Sequence, residues 1–541
     1  MLKHATVSLL CIFSFSLAWS QQSSAAADPC TKLASLTLPA AKVVSAQIVP
    51  AGAFTPPGNT PMLTPQKALF AGLPAFCRVV LMDTPTSDSE IPIEVWLPET
   101  GWNGKFRGQG NGGFAGQTDY PGLAVAVTQG YASAATDTGH PDMGTDPKWA
   151  LGHPEKIIDY GYRAVHDTAV LAKVVVKAYY GSPVRFGYFV SCSDGGREAL
   201  MEAQRFPHDY NGIVAGAPAN NWTGLLTNAL YNSQALLDDP ASYISAAKIP
   251  AIDAAVRAAC DTAGGVKDGV LNDPRRCRFN PSSMICKGAE SDSCLTARQA
   301  HTLQILYGGL HDAAGKLIFP GYLPGSEDGP GGWIPWIIGS GPRQSLMYGF
   351  AVGYFGNMVY DKPDWNFKSA AIARAYKDAL DKTARALDAN DPNLKPFVAH
   401  GGKLILYHGW NDPAIAALST VGYYNKVRET LGAKQTEASV RLFMVPGMQH
   451  CFGGPGATFF DQFGLPPAGV PNDAEHDIYL ALEDWVEKGK APERLIGTKF
   501  DDKATPPRVV RTRPICAYPQ TAKYNGSGDT GNAANFTCAQ P

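Results

Sequence analysis

Ser193 stands in Ser191-Cys-Ser-Asp-Gly-Gly196, between a β-rich run, Arg185-Phe-Gly-Tyr-Phe-Val190, and a helical stretch from Arg197 to Gln204. A serine at a strand-to-helix turn flanked by small residues is a nucleophile elbow: the turn lifts the hydroxyl above a sheet and leaves little room for bulk two residues on either side. Gly195 meets that need, whereas Ser191 occupies a position where glycine is usual. A serine hydroxyl attacks poorly at neutral pH, so it needs a base, and the base needs an acid that holds its tautomer. On this scaffold the acid and then the base follow the nucleophile, each on a loop leaving a strand. Asp412, in His408-Gly-Trp-Asn-Asp-Pro413, follows the apolar run Lys403–His408, and His450, in Pro446-Gly-Met-Gln-His-Cys451, follows the run Val440–Val445. Ser193, Asp412 and His450 are the expected catalytic set. The run Gly110-Asn-Gly-Gly-Phe-Ala-Gly116 can supply an oxyanion-hole N–H from Gly112 or Gly113, with the N–H of Asp194 as the second donor. No Gly-Lys-Ser/Thr follows the glycines, so they do not read as a phosphate loop. His140 and His166 read as core or supporting residues.

These side chains need a scaffold, and the pattern around them supplies one. From Ile91 to about Asn220, β-rich runs (Ile91–Leu97, Lys105–Gly108, Tyr131–Ala135, Arg185–Val190, Gly212–Ala215) alternate with helical patterns. Val165, Ala169, Ala172 and Val176 recur at helical spacing ahead of the strand that carries the serine. Such βα alternation predicts a mostly parallel sheet covered by helices. The pattern breaks between about Asn221 and Leu394, then resumes with two strands and a helix bearing Ile478, Ala481, Leu482, Trp485 and Val486 on one face, stopped at Gly489. The expected organisation is an α/β sheet domain of the α/β-hydrolase kind, residues 28–220 and 395–541, interrupted by a large inserted lid domain, 221–394.

A chain of 541 residues is too long for one ordinary core, in keeping with that insertion. Charged residues are 17% of it and the formal net charge is −2, which gives no electrostatic reason to expect nucleic acid or an anionic membrane as partner. A small neutral or apolar substrate fits better. Met1-Leu-Lys-His, an apolar run from Ala5 to Trp19 and then small residues read as a secretory leader over residues 1–27, cut after Ser20 or within Ala25–Ala27. The run is shorter than the roughly 20 residues a membrane span needs. Export to the periplasm or the medium is therefore expected. Cys11 leaves with the leader, and the ten remaining cysteines, with no Cys-x-x-Cys pair among them, read as five disulfides. Spacing suggests Cys260 with Cys277, Cys286 with Cys294 and Cys516 with Cys538, without fixing the connectivity.

At these residues the sequence resembles the tannase and feruloyl esterase family of α/β-hydrolases, which includes a hydrolase of mono(2-hydroxyethyl) terephthalate. The resemblance is carried by Gly110-Asn-Gly-Gly, Asp159-Tyr-Gly-Tyr-Arg-Ala-Val-His-Asp-Thr, Cys192-Ser-Asp-Gly-Gly-Arg, His408-Gly-Trp-Asn-Asp-Pro and Pro446-Gly-Met-Gln-His-Cys, and covers nearly the whole chain after the leader. It implies a disulfide between Cys192 and Cys451, beside the serine and the histidine, and another between Cys30 and Cys77. It also implies a structural calcium ion in the lid, on Asp261, Gly264, Val266, Asp268 and Val270. Gly264 stands where the family usually has a third aspartate, which should weaken the site. On the substrate side the resemblance places His408 and Ile415, and Arg343 is the one arginine within the aromatic stretch Trp333, Trp336, Tyr348, Phe350, Tyr354, Phe355, Tyr360 and Trp365. Most of these rings should form lid core and a few should face the cleft.

The expected activity is hydrolysis of esters of planar aromatic acids, gallate- or feruloyl-like, through an acyl-enzyme. Ile415 replaces a phenylalanine of the terephthalate-specialised member, which argues against that narrower role as the alternative. A non-catalytic binding protein that keeps the fold, favoured only by Ser191, and a peptidase on the same fold are the other readings.

Overall fold

The computed structural model describes Met1 and residues 28–57, 67–141, 144–261, 266–464, 469–501 and 503–541. The expected leader, apart from Met1, lies outside the described residues. Nine strands form the main sheet: β1 (Ala41–Val49), β2 (Phe76–Asp83), β3 (Ile91–Pro98), β4 (Lys105–Gln109), β5 (Ala132–Thr136), β6 (Phe186–Cys192), β7 (Gly212–Gly216) and, after two short strands β8 (Leu310–His311) and β9 (Leu317–Phe319) that pair with each other, β10 (Lys403–Gly409) and β11 (Val440–Val445). Their order across the sheet is β1-β2-β3-β5-β4-β6-β7-β10-β11. The pairs β1/β2, β2/β3 and β3/β5 are antiparallel, and every pair from β5/β4 to β10/β11 is parallel. The strand predicted at Ile91 therefore belongs to the antiparallel edge rather than to the parallel part.

The parallel strands read as near-continuous apolar runs because both faces are covered. Phe189 and Ile213 point toward the helices Ala164–Tyr180, Asp194–Arg205 and Leu418–Leu431, whereas Tyr188, Val190 and Val214 point toward the helix Ile478–Lys488. That last helix ends where Gly489 takes a left-handed φ of 69°. After it, β12 (Arg494–Asp501) pairs with β13 (Arg508–Cys516), and β14 (Thr521–Tyr524) pairs with β15 (Phe536–Ala539). Neither hairpin was expected from the sequence.

Between β7 and β10 the described chain adds no strand to the main sheet. It builds an apolar core of its own from the helices Trp222–Leu237, Ile249–Cys260, Ala297–Gly308, Leu346–Gly353 and Ile372–Leu387, and this core is continuous with Phe114, Tyr160 and Ile415 of the sheet domain. Five disulfides form: Cys30–Cys77, Cys192–Cys451, Cys260–Cys277, Cys286–Cys294 and Cys516–Cys538. They are the pairs that spacing suggested and the resemblance implied. No helix among the described residues is long and apolar enough to cross a membrane.

Candidate active site

Strand β6 ends at Cys192 and a helix starts at Asp194, so Ser193 must turn the chain within one residue; it does so at φ 69°, ψ −124°. Two glycines make the turn possible. A Cβ on Gly195 would overlap the Ser191 hydroxyl, and a Cβ on Gly196 would overlap the carbonyl of Gly216 at the end of β7. Ser191, the departure from the usual glycine, is tolerated because both Gly195 and Gly110 leave its hydroxyl room.

The loop after β11 carries His450 and the loop after β10 carries Asp412, and the structure brings both to Ser193. The Ser193 hydroxyl lies 2.9 Å from His450 Nε2, and His450 Nδ1 lies 2.8 Å from Asp412 Oδ2. Asp412 Oδ1 accepts the backbone N–H groups of Ala414 and Ile415 at 2.8 and 2.9 Å. Burial alone would raise the Asp412 carboxyl, but the charge of His450 and hydrogen bonds from His408 and His450 outweigh it and hold the group well below the ordinary carboxylate range. It stays ionised at neutral pH.

His408, expected on the substrate side, is instead fully buried behind Asp412. Its Nε2 faces two acceptors, Ile415 O at 3.0 Å and Asp412 Oδ2 at 3.2 Å, which fixes a proton there, while Nδ1 meets Thr420 Oγ1 at 2.7 Å. As the inward-pointing last residue but one of β10, it has no path to the cleft. Arg343 is also misplaced by the sequence reading: its guanidinium lies 5.9 Å from the Phe367 ring and does not line the cleft. Ile415 does line it.

The cleft is walled by Trp222, Leu225, Leu226, Trp336, Met347, Phe350, Ala414 and Ile415 around Gly113, Ser193, Asp194 and His450. Among the described residues no lysine or arginine lines it. Of the eight aromatics between Trp333 and Trp365, Trp336 and Phe350 reach the cleft, whereas Trp333, Tyr354 and Phe355 are core. Trp336 meets the His450 ring edge to face at 4.8 Å. Trp222, Leu225 and Leu226, at spacings of three and four, form one face of the insertion's first helix, whose N-terminus Asn221 caps. The sequence reading missed them because apolar residues at helical spacing look the same whether they meet a core or a ligand.

Gly113 lines the cleft opposite the turn, and Gly112 lies beside it in a turn closed from Ala115 N to Gly112 O. A buried polar network ties this loop to the helix behind Ser193. Gly195 N donates to Asn111 O at 2.8 Å, and Asn111 N donates to Glu198 Oε2 at 2.8 Å. The Tyr160 hydroxyl lies 2.9 Å from both Gly113 O and Asp194 Oδ1, and Arg197 Nε donates to the same Asp194 oxygen at 2.6 Å. Burial and the Asp194 charge push the Glu198 carboxyl up to about 8, against the pull of Arg197 and Asn111 N. His140 and His166 are supporting residues: His140 bonds Phe114 O at 2.7 Å, and His166 pairs with Asp209 at 2.6 Å.

For calcium, Asp261 and Asp268 offer hard oxygen donors on one loop, and Asp261 Oδ1 accepts from Gly269 N at 3.0 Å, which draws the loop's ends together. Gly264 lies outside the described residues, and Val266 packs against Cys516, Ala522 and Phe536. Asp268 is already engaged by Arg513 at 2.8 Å and Arg511 at 3.4 Å. With two carboxylates and two guanidiniums on one of them, the residues present fit a weakly held ion.

The sequence model described as tannase and feruloyl esterase matches residues 77–539. The chain is 41% identical to an uncharacterized esterase of Xanthomonas campestris, over 95% of this chain and 91% of that one. Among solved structures it is similar to an esterase from Aspergillus oryzae (TM-score 0.83, 29% identity) and to feruloyl esterase B from Aspergillus oryzae (TM-score 0.84, 27% identity), in each case over 94% of this chain and 99% of the other.

Tyr160 touches both halves of the expected oxyanion hole, one through a carbonyl and the other through a side chain. Tyr160→Phe should lower kcat about tenfold with KM within about twofold and the melting temperature lowered by a few degrees, because the hydroxyl orients donors that matter most in the transition state and its loss leaves a buried acceptor unpaired. Steady-state kinetics on a soluble ester checks this; a raised KM at unchanged kcat would assign Tyr160 to ground-state binding instead.

Proposed function

This chain belongs to the tannase and feruloyl esterase family of carboxylic ester hydrolases, and on that premise we propose that Ser193, His450 and Asp412 cleave esters of planar aromatic acids through an acyl-enzyme. The observation that carries the reading is the hydrogen-bonded chain from Ser193 Oγ through His450 to Asp412 at a largely apolar cleft whose wall includes Trp222, Trp336 and Phe350. Ser193 Oγ attacks the ester carbonyl and His450 Nε2 takes its proton, while Asp412 holds the other ring proton and the imidazolium charge. The oxyanion is met by the N–H of Asp194 and an N–H of the Gly112-Gly113 turn. His450 returns the proton to the departing alcohol, and water, activated by the same nitrogen, releases the acid.

Trp222, Trp336 and Phe350 favour a flat acyl ring, since an aromatic pair gains about 0.5–1.5 kcal/mol beyond the area it buries. The cleft lining among the described residues offers no lysine or arginine to a terephthalate half-ester, whose free carboxylate would be desolvated there without a cationic partner.

The chain is exported, its first 27 residues being the leader, and five disulfides suit an oxidising compartment. The loop from Asp261 to Val270 holds calcium weakly, as a staple remote from the reacting atoms.

Ser193→Ala should abolish ester turnover in a folded protein, and the wild type should favour methyl hydroxybenzoate or hydroxycinnamate over methyl butyrate by about tenfold in kcat/KM. Activity of the variant within tenfold of wild type would sink the nucleophile assignment, and a butyrate preference would sink the aromatic one. Chelation should lower the melting temperature by a few degrees and leave kcat of the folded protein unchanged; identical melting curves would remove the ion. The N-terminus of exported protein should lie between Gln21 and Asp28, and a mature chain that begins at Met1 would refute the leader.

A further inference from the structure

The cleft accounts for the acyl half of an ester, not for the alcohol. Among the described residues the two most exposed aromatic rings are Phe452 and Phe463, 59% and 45% exposed, and they lie together, edge to face, with centroids 5.6 Å apart. Scattered exposed hydrophobics are ordinary, but these two are adjacent and held in place. Phe452 is two residues beyond His450 and its N–H donates to His450 O at 2.8 Å. Cys451 between them is bonded to Cys192, next to Ser193. Gln462, buried beside Phe463, donates to Cys451 O at 3.3 Å and to Thr458 O at 3.0 Å, which ties the second ring to the same backbone.

Neither ring lines the acyl cleft. His450 Nε2 must face both the Ser193 hydroxyl and the oxygen that leaves, so the alcohol carbon skeleton begins beside His450, on the side away from the acyl group. Trp336 already covers one side of the histidine ring. From the placement of this rigid aromatic pair just past the histidine, the geometry points to a leaving-group subsite in which Phe452 and Phe463 take the flat face of a ring-bearing alcohol. The shared chemistry is a planar or C–H-rich ring face packed on an aromatic side chain, which either a sugar or a phenyl-bearing alcohol presents.

The inference rests on the ester-hydrolase reading, and wild-type turnover of a methyl ester of an aromatic acid tests that reading separately. The subsite is tested with three esters of the same acid: methyl, benzyl and glucosyl. In the double variant Phe452→Ser/Phe463→Ser, the ratio of kcat/KM for a ring ester to that for the methyl ester should fall about tenfold, mainly through KM, whereas Phe452→Trp alone should keep the ratio or raise it. A fall confined to the benzyl or the glucosyl arm identifies the kind of ring that is read. A ratio unchanged in both arms, whether or not the absolute rates drop, overturns the subsite, because a merely structural role would slow all three esters alike.

Discussion

The backbone at Ser193, held at a positive φ between a strand and a helix, is the constraint on which the site depends. A non-glycine residue in such a conformation costs on the order of 1–3 kcal/mol and persists only where its surroundings leave no alternative. Here the surroundings are specific. Ser193 N donates to Gly216 O, Gly195 N donates to Asn111 O, and the two glycines after the serine let the helix lie directly against β7 and the glycine loop. The same contacts that force the turn also set the distance between the serine and the loop expected to bind the oxyanion. Ser193 and the expected oxyanion donors are thus positioned by one set of close backbone approaches rather than by separate devices.

Behind the turn, the helix Asp194–Arg205 buries four ionisable residues, Asp194, Arg197, Glu198 and Glu202. Buried charge is expensive unless paired, and Arg197 is fully paired: it meets the Asp194 carboxylate and the carbonyls of Tyr160 and Gly161, with its guanidinium 4.7 Å from the Tyr160 ring and 5.4 Å from that of Trp222. Trp222 is a wall of the cleft. The network therefore joins the turn, the glycine loop and the cleft wall, and a disturbance in any one of them leaves a polar group unsatisfied in the others.

What the sequence made legible was chemistry with a fixed local context. A serine between strand and helix, an aspartate and a histidine each just past an apolar run, and alternating strands and helices are patterns that short-range geometry imposes. What it concealed was direction. His408 ends a strand as Asp412 begins a loop, and nothing in their types says that the histidine turns inward to support the acid. Leu225 and Leu226 have the spacing of core residues, and β1, an edge strand with Lys42 exposed, lacks the apolar run of a strand covered on both faces. The hairpins β12/β13 and β14/β15 were hidden likewise, because edge pairs with solvent on one side carry mixed polar sequences.

The insertion raises a different physical problem, since Ser193 precedes it and Asp412 and His450 follow it. A segment with its own core could shift relative to the sheet and carry part of the cleft wall with it. The contacts oppose that. Asn411, beside the acid, donates to Pro324 O at 2.9 Å, and Gln449, beside the base, donates to Ser326 O and Asp328 O at 3.0 and 2.9 Å. Both loops thus grip one turn of the insertion with buried amides, through the residues immediately preceding Asp412 and His450. The Cys192–Cys451 bond then closes a separation of 259 residues across the sheet end, independently of the insertion. One tether is covalent and spans the reacting pair; the other is hydrogen-bonded and spans the cleft wall. Motion of the insertion would have to break the second tether, and the first would still hold the serine beside the histidine.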